Sequence, residues 1–503
     1  MTLQDLLPLL PFLILAIGGL ALLLFIRPSR DEGGKPHTAL SAVTIALLAS
    51  AFLVGAKLWS SHPGGLRESF FGAAFLVDNF ALFFCGLVVA CAIFTVVVSQ
   101  PYAAQEGYNY AELYALLLFA TAGMVLLASG TDLVVLFLGI EIMSLAVYTL
   151  VGIRRRDRKA NEATMKYVLL GAFSSAILLY GIAMIYGATG TTNLFEISAI
   201  REAGPGVSQG LYVAGGFLLL AGLGFKVASV PFHMWVPDVY EGASAPITGF
   251  MATAVKAASF ALILRILLVG LGESHDDLSM PLWWLSALSM LVGNILALAQ
   301  RNLKRMLAYS SIAHTGYLLI GLVTATRAAT DGAVAILVYL AAYALTNLGA
   351  FACLAYFAGH DDTRVNLEDW SGAARRHPWI AVAMGVCMLS LIGFPPTAGF
   401  LGKYLLFTSA IQVGEIGLAV LGIANSVLSV WYYLRVVVVM TMQEPAPGDA
   451  RPLPEPRWGA AMGAVYAALA VLWAGLGTIT LAGLLPGAQS LIGWARLSVI
   501  TLF

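Results

Sequence analysis

GFKVASVPFHMWVPDVYEGASAPITGFMATAVKAASF, residues 224–260, sets Lys226 and Lys256 in sequence otherwise apolar enough for a bilayer, and interrupts it at Pro231 and Pro237. A proline removes a backbone donor and breaks the helical hydrogen-bond ladder. In lipid the freed carbonyls must be met by protein or water. The stretch therefore reads as a membrane helix broken beside a charge. A second stretch has the same grammar: LIGFPPTAGFLGKYLLF, residues 391–407, breaks at Pro395 and Pro396 and carries Lys403.

The rest of the chain agrees with a membrane setting. Of 503 residues, 60% are hydrophobic and 11% charged, against about 45–50% and 25% in soluble proteins. This excludes a soluble enzyme and a disordered chain. The 27 basic and 27 acidic residues cancel, which leaves no net field to attract nucleic acid. Cys85, Cys91, Cys353 and Cys387 all lie in apolar runs with no C-x-x-C spacing, so neither a disulfide framework nor a zinc or iron–sulfur site is expected. The apolar run from Leu6 to Ile26 has its basic residues, Arg27 and Arg30, after it rather than before it. It reads as a first span and not as a cleaved signal.

The predicted fold is an all-α polytopic membrane protein of fourteen spans, at 6–27, 38–59, 75–99, 111–130, 132–153, 162–187, 209–240, 244–272, 281–300, 303–326, 331–359, 378–410, 415–442 and 458–483. Residues 484–503 are expected at the interface, and Glu444–Pro456 reads as a Pro-rich linker. The loops on the side reached after span 1 hold sixteen basic residues, among them Arg154, Arg155, Arg156, Arg158, Lys159, Arg301, Lys304, Arg305 and Arg457. The opposite loops hold five: Lys57, Arg67, Arg201, Arg327 and Arg496. Positive charge stays inside, so both termini are expected on the outer side. No loop is long enough for a soluble domain.

A charge at the bilayer centre costs about 2.5–3.5 kcal/mol on insertion scales, and such residues usually serve a function. Six basic residues fall within spans: Lys166, Lys226, Lys256, Arg265, Lys403 and Arg435. Arg265 and Arg435 lie about two turns from a helix end, where a long side chain can snorkel to the headgroups. Lys166, near a helix start, has the same escape. Lys226, Lys256 and Lys403 have none. Packing lysines paired off inside the bundle are the bland alternative. The one deep acid is Glu141 in span 5, and Glu141 with Lys226 is the simplest ion pair. In span 10, Ser310, His314 and Tyr317 share a face. His314 suits a proton relay or a hydrogen-bonded packing role, and His233 is equally ambiguous. Thr346 and Asn347 add polar groups to an interior path.

The two breaks lie five spans apart. An odd offset reverses direction through the membrane, the pattern of inverted repeats. Residues 1–110 then hold spans 1–3, 111–272 a first repeat of spans 4–8, 281–442 a second of spans 9–13, and 458–503 the C-terminal remainder. Lysine, glutamate and histidine along the mid-plane suggest a proton path. A carboxylate moving relative to a buried lysine loads or releases a proton. There is no phosphate-binding loop, dinucleotide fingerprint or cysteine cluster, so redox chemistry belongs elsewhere.

These same stretches, with RNLKRMLAYSSIAHTGY at 301–317, resemble the antiporter-like membrane subunits of respiratory complex I, NADH:quinone oxidoreductase. The likeness runs from about residue 110 to 440, and VYEGA after WVPD is most similar to the subunit N branch. It implies a fourteen-helix core and proton translocation coupled to quinone reduction. By motif position it implies Glu141, Lys166, Lys226, Lys256 and Lys403 as the relay, with His314 beside them. It implies other membrane-arm subunits as partners in a bacterial inner membrane. NADH, FMN, iron–sulfur clusters and quinone would then belong to partner subunits, with none in this chain. The lysine at 403 and the end of the chain near span 14 speak against the sister subunits M and L. Two rivals stand beside this reading: a subunit of a multi-subunit cation/proton antiporter, and a structural anchor.

Overall fold

The computed structural model describes residues 7–25, 38–203, 208–271, 275–327, 329–359, 362–444, 457–476 and 487–502. Among them, thirteen unbroken helical stretches are long and apolar enough to cross a membrane. The twelfth predicted span accounts for one more, as two half-helices, Pro378–Ile392 and Ala398–Gln412. The arrangement is all-α and polytopic, as expected. Arg27, Arg30, Lys35 and Arg451, and the linker beyond Glu444, lie outside the described residues.

Spans 8, 10 and 11 form the interior. Every residue of Ala245–Gly270 is buried, as is nearly all of Leu303–Ala325 and Thr330–Phe357. The outer helices instead present apolar stripes. Val420, Ile423, Val427 and Trp431 of span 13 are exposed, as are Leu169, Phe173 and Tyr180 of span 6. Close helix approach relies on glycine. A Cβ at Gly123 of span 4 would meet the Met143 nitrogen of span 5 at 2.6 Å. One at Gly293 of span 9 would meet the Ala313 nitrogen of span 10 at 2.6 Å.

The structure departs from the sequence reading in several places. Residues read as loop and helix start form a small antiparallel hairpin, Arg67–Phe70 with Phe75–Asp78. The loop between spans 6 and 7 contains a helix, Leu194–Glu202. Span 8 has two π-helical turns, Met251–Val255 and Ile266–Gly270, on either side of Lys256–Arg265. The C-terminal helix Gly487–Leu502 packs on the start of span 3, where Ser498 donates to the Asn79 carbonyl at 3.3 Å.

Arg265 is the plainest correction. It does not snorkel. It is fully buried and grips Asp78 with both terminal nitrogens, at 2.7 and 2.8 Å. Its Nε and Nη2 donate to the Ala128 carbonyl at 2.9 and 2.8 Å. Asp78 caps span 3 by accepting from the Ala81 nitrogen at 2.7 Å. Pairing it with an arginine 187 residues away is a tertiary event. The pair ties spans 3, 4 and 8 together near the face opposite the basic loops.

Removing one partner of a buried pair strands the other charge, at a cost of about 3–5 kcal/mol. Arg265→Met should therefore sharply lower the thermal unfolding temperature of the detergent-solubilised protein. Adding Asp78→Asn, which keeps the cap, should recover part of the loss. Equal stability of the single variant and the wild type would contradict this account.

Candidate functional site

Span 7 runs as Gln209–Val227, turns at Ala228 with φ +63°, and resumes as Val236–Gly242. Lys226 is in the last turn of the first half, where a cation meets the negative end of the helix dipole. Its side chain is buried, donates to Ser144 Oγ at 2.8 Å, and lies 5.9 Å from the Tyr148 ring centre. The expected direct ion pair with Glu141 is absent. Glu141 instead accepts from Ser175 of span 6 at 2.6 Å. Ser144 is three residues after Glu141 on the same helical face, and its hydroxyl takes the ammonium. Two serines thus stand where one salt bridge was expected.

Lys256 directly follows the first π turn of span 8. A π turn adds a residue and re-aims what comes next, and such turns are frequent at functional sites. The ammonium is buried and donates to the Ser311 carbonyl and Oγ, both at 2.6 Å, and to Thr315 Oγ1 at 3.0 Å. All three of its donors are used. Thr315 in turn donates to the Val227 carbonyl at 2.6 Å. That carbonyl is freed by the break in span 7, next to Lys226.

Span 10 carries both sides of the site. Ser311 and Thr315 face Lys256. Ser310, His314 and Tyr317 face the other way, sharing a side as the spacing predicts. His314 Nδ1 meets the Tyr339 hydroxyl of span 11, and Nε2 lies 3.0 Å from the Tyr433 hydroxyl of span 13, which also bonds Ser310. Lys403 lies 4.6 Å from the Tyr317 ring centre. It donates to the Ile392 carbonyl at 2.9 Å and to Ser426 Oγ at 3.2 Å. Ile392 is the last residue of the first half of span 12, so Lys403 caps its own broken helix. Thr346 bonds Ser390 at 2.9 Å, and Ser390 Oγ accepts from the Gly399 nitrogen at 3.1 Å. Asn347 joins none of this.

Pro231, Phe394 and Pro395 are exposed at the edge of the bundle. Only the lysines and the freed carbonyls point inward. His233 is half-buried beside Pro231, and its Nδ1 has no hydrogen-bond partner among the described residues.

Lys166 stands apart. It is half-exposed and pairs with Glu162 and Asp238, both at 2.7 Å. Asp238 also holds Arg305 at 2.8 Å, and Arg305 reaches Glu241 at 3.1 Å. This network lies at the basic face and ties the segment after the span 7 break to spans 6 and 10. Nearby, Asp362 is buried between Lys304 at 2.9 Å and Arg154 at 3.5 Å, and accepts from Tyr102. Burial alone would raise its proton affinity, but the two cations hold its carboxyl below the ordinary range.

Sequence reasoning missed Ser144, Ser175, Ser311, Thr315, Tyr339 and Tyr433. Hydroxyls are common on membrane helices and bond their own backbone, so the residue type carries little signal. The one usable clue is Ser311 and Thr315, four apart and one position after Ser310 and His314.

Half-helices with lysines at their broken ends and hydroxyls between them define an antiporter-like membrane subunit. Residues 130–429 match the family described as NADH:quinone oxidoreductase/Mrp antiporter, TM. NADH-quinone oxidoreductase subunit N of Trichlorobacter lovleyi is 45% identical over 432 residues, 86% of each chain. Subunit N of Myxococcus xanthus is 40% identical over 98% of this chain and 99% of its own. Among solved structures, a chain of respiratory complex I from Thermus thermophilus matches with a TM-score of 0.76 and 36% identity, over 95% of this chain and 100% of that one. A chain of the Mrp complex from Dietzia sp. has a TM-score of 0.84 at 21% identity, over 100% of this chain and 98% of that one, a likeness of fold alone. The chain belongs to the NADH:quinone oxidoreductase/Mrp antiporter family, within its NADH-quinone oxidoreductase subunit N group.

Thr315→Val removes the hydroxyl that joins Lys256 to the Val227 carbonyl and keeps the shape. Proton transfer in vesicles containing the protein should slow severalfold while its abundance in the membrane stays normal. An unchanged rate would take Thr315 out of the path.

Proposed function

We propose that this chain translocates protons as a membrane-arm subunit of NADH:quinone oxidoreductase, with the electron-transfer chemistry on partner subunits. NADH, FMN, iron–sulfur clusters and quinone would be bound there. The observation that carries this is a series of polar groups through the buried centre: Thr315 bonds both Lys256 and the Val227 carbonyl next to Lys226, and on the other face of span 10 His314 bonds Tyr433 and packs on Tyr317, whose ring faces Lys403. Glu141 with Ser175 and Ser144 opens the series on the span 5 side. Hydroxyls both donate and accept, so the serine, threonine and tyrosine hydroxyls can pass a proton by reorienting, with water bridging the gaps between them. Lys166 holds Asp238 and so positions the segment after the break rather than carrying the proton. The anchor reading is disfavoured by three lysines held only by neutral groups at mid-membrane, an arrangement that costs stability.

Spans 4–8 and 9–13 act in this proposal as inverted repeats, each with one broken helix and one lysine beside the break. The cation/proton antiporter reading shares the fold, but many relatives at 37–45% identity are named for subunit N.

Lys226→Met and Lys256→Met test the mechanism. Each variant should still enter a very large, NADH-oxidising band on a native gel, with proton pumping in vesicles reduced at least tenfold. Normal pumping in both would sink the relay. A tagged chain found only in a smaller, inactive band would sink the assembly.

The basic face is proposed to lie on the cytoplasmic side of a bacterial inner membrane, with both termini on the outer side. All four native cysteines are buried, so labelling has a low background. A membrane-impermeant maleimide should reach Arg156→Cys only in inside-out vesicles and Ala199→Cys only in right-side-out cells. The reverse pattern would invert the topology.

A further inference from the structure

The basic face carries a cavity of about 1850 Å³ between the ends of spans 2, 4, 5, 6 and 10. Two buried side chains on its wall are incompletely bonded. Arg154 is 8% exposed and Asn109 is 9% exposed. Arg154 uses Nη2 for the Gly242 carbonyl at 3.1 Å, Asp157 at 2.8 Å and Asp362 at 3.5 Å. Its Nε and Nη1 have no partner. Asn109 has its Oδ1 committed to the Tyr114 hydroxyl at 2.7 Å, and its Nδ2 has no partner. Every unsatisfied atom of these two residues is a donor. A buried donor left unpaired is costly, and a set of donors without an acceptor asks for an anion.

The remaining wall narrows the choice. Of the five acids lining the cavity, Asp157, Asp362, Glu241 and Glu106 are each already paired with a cation, and the fifth, Glu112, is half-buried at the start of span 4. Arg155, Arg158 and Arg301 are exposed at the rim and meet no carboxylate among the described residues. On another side the wall is apolar: Ala39, Leu40 and Val43 at the start of span 2. Val43 is 45% exposed, so this wall runs on to the outer, lipid-facing side of the bundle. A free phosphate would use the donors and leave the apolar wall bare. A phospholipid uses both, and basic pockets between membrane helices suit anionic headgroups.

We propose that this cavity binds an anionic phospholipid, with its phosphate on Arg154 and Asn109 and an acyl chain along Ala39–Val43. The proposal does not rest on proton translocation. It places a lipid against the base of span 10, because Arg154 shares Asp362 with Lys304.

The test uses the full chain extracted in its native assembly, delipidated in dodecyl maltoside with phosphatidylcholine. Phosphatidylglycerol or inorganic phosphate is then added, and bound ligand is read by native mass spectrometry. Asn109→Asp keeps the acceptor for Tyr114 and puts negative charge where the free donor stood. Arg154→Lys keeps a cation for Asp362 and loses the guanidinium fork. Each should weaken phosphatidylglycerol binding about tenfold, while Ala199→Cys, far from the cavity, should not. Binding of inorganic phosphate that is lost in the same variants, with no preference for the lipid, would keep the anion site and overturn the lipid. Equal retention of phosphatidylglycerol by wild type, Asn109→Asp and Arg154→Lys would overturn the proposal altogether.

Discussion

A backbone carbonyl freed inside a membrane has no water to turn to, and the site is built from that demand. Spans 7 and 12 each end a half-helix within the bundle. The Val227 carbonyl is taken by Thr315, and the Ile392 carbonyl by Lys403. The Val230 nitrogen finds Ser289 at 2.9 Å, and the Phe225 carbonyl finds the Trp235 indole at 3.1 Å. Breaking the helices creates acceptors, and the acceptors gather the polar side chains. The prolines can therefore sit at the edge of the bundle while their consequences reach its centre.

Charge is handled in two ways. Near the faces it is paired: Asp78 with Arg265, Asp362 with Lys304, Glu106 with Arg457 at 2.8 Å. These pairs join distant parts of the chain and are fixed by additional hydrogen bonds, which buried pairs require. At the centre, Lys226, Lys256 and Lys403 bind hydroxyls, carbonyls and aromatic faces, and among the described residues no carboxylate pairs with any of them. A salt bridge at the centre would hold its proton in place. In the proposed relay, neutral partners that can turn would leave the proton free to move. The faces hold the bundle together and the centre is left adjustable.

Span 10 is the hinge of this layout because a helix presents different faces at successive positions. Ser311 and Thr315 look to Lys256, while Ser310 and His314, one residue earlier, look to the tyrosines of spans 11 and 13. One buried helix can thus touch both lysine neighbourhoods without a charge of its own in the middle.

Much of this was legible without coordinates. Composition gave the membrane, the lengths of the apolar runs gave the span count, and the prolines beside lysines gave both breaks. Those readings need only local sequence, because hydrophobic length and backbone donors are local properties. What joined the parts was not local. The hydroxyl between Glu141 and Lys226, the π turn that aims Lys256, and the snug pairing of Arg265 with Asp78 all depend on which helices become neighbours. The sequence by itself determined where polar groups would be stranded in lipid. Only the tertiary structure decided which partners would meet them, because a helix carries its unsatisfied groups into the bundle and its neighbours supply the other half of each bond.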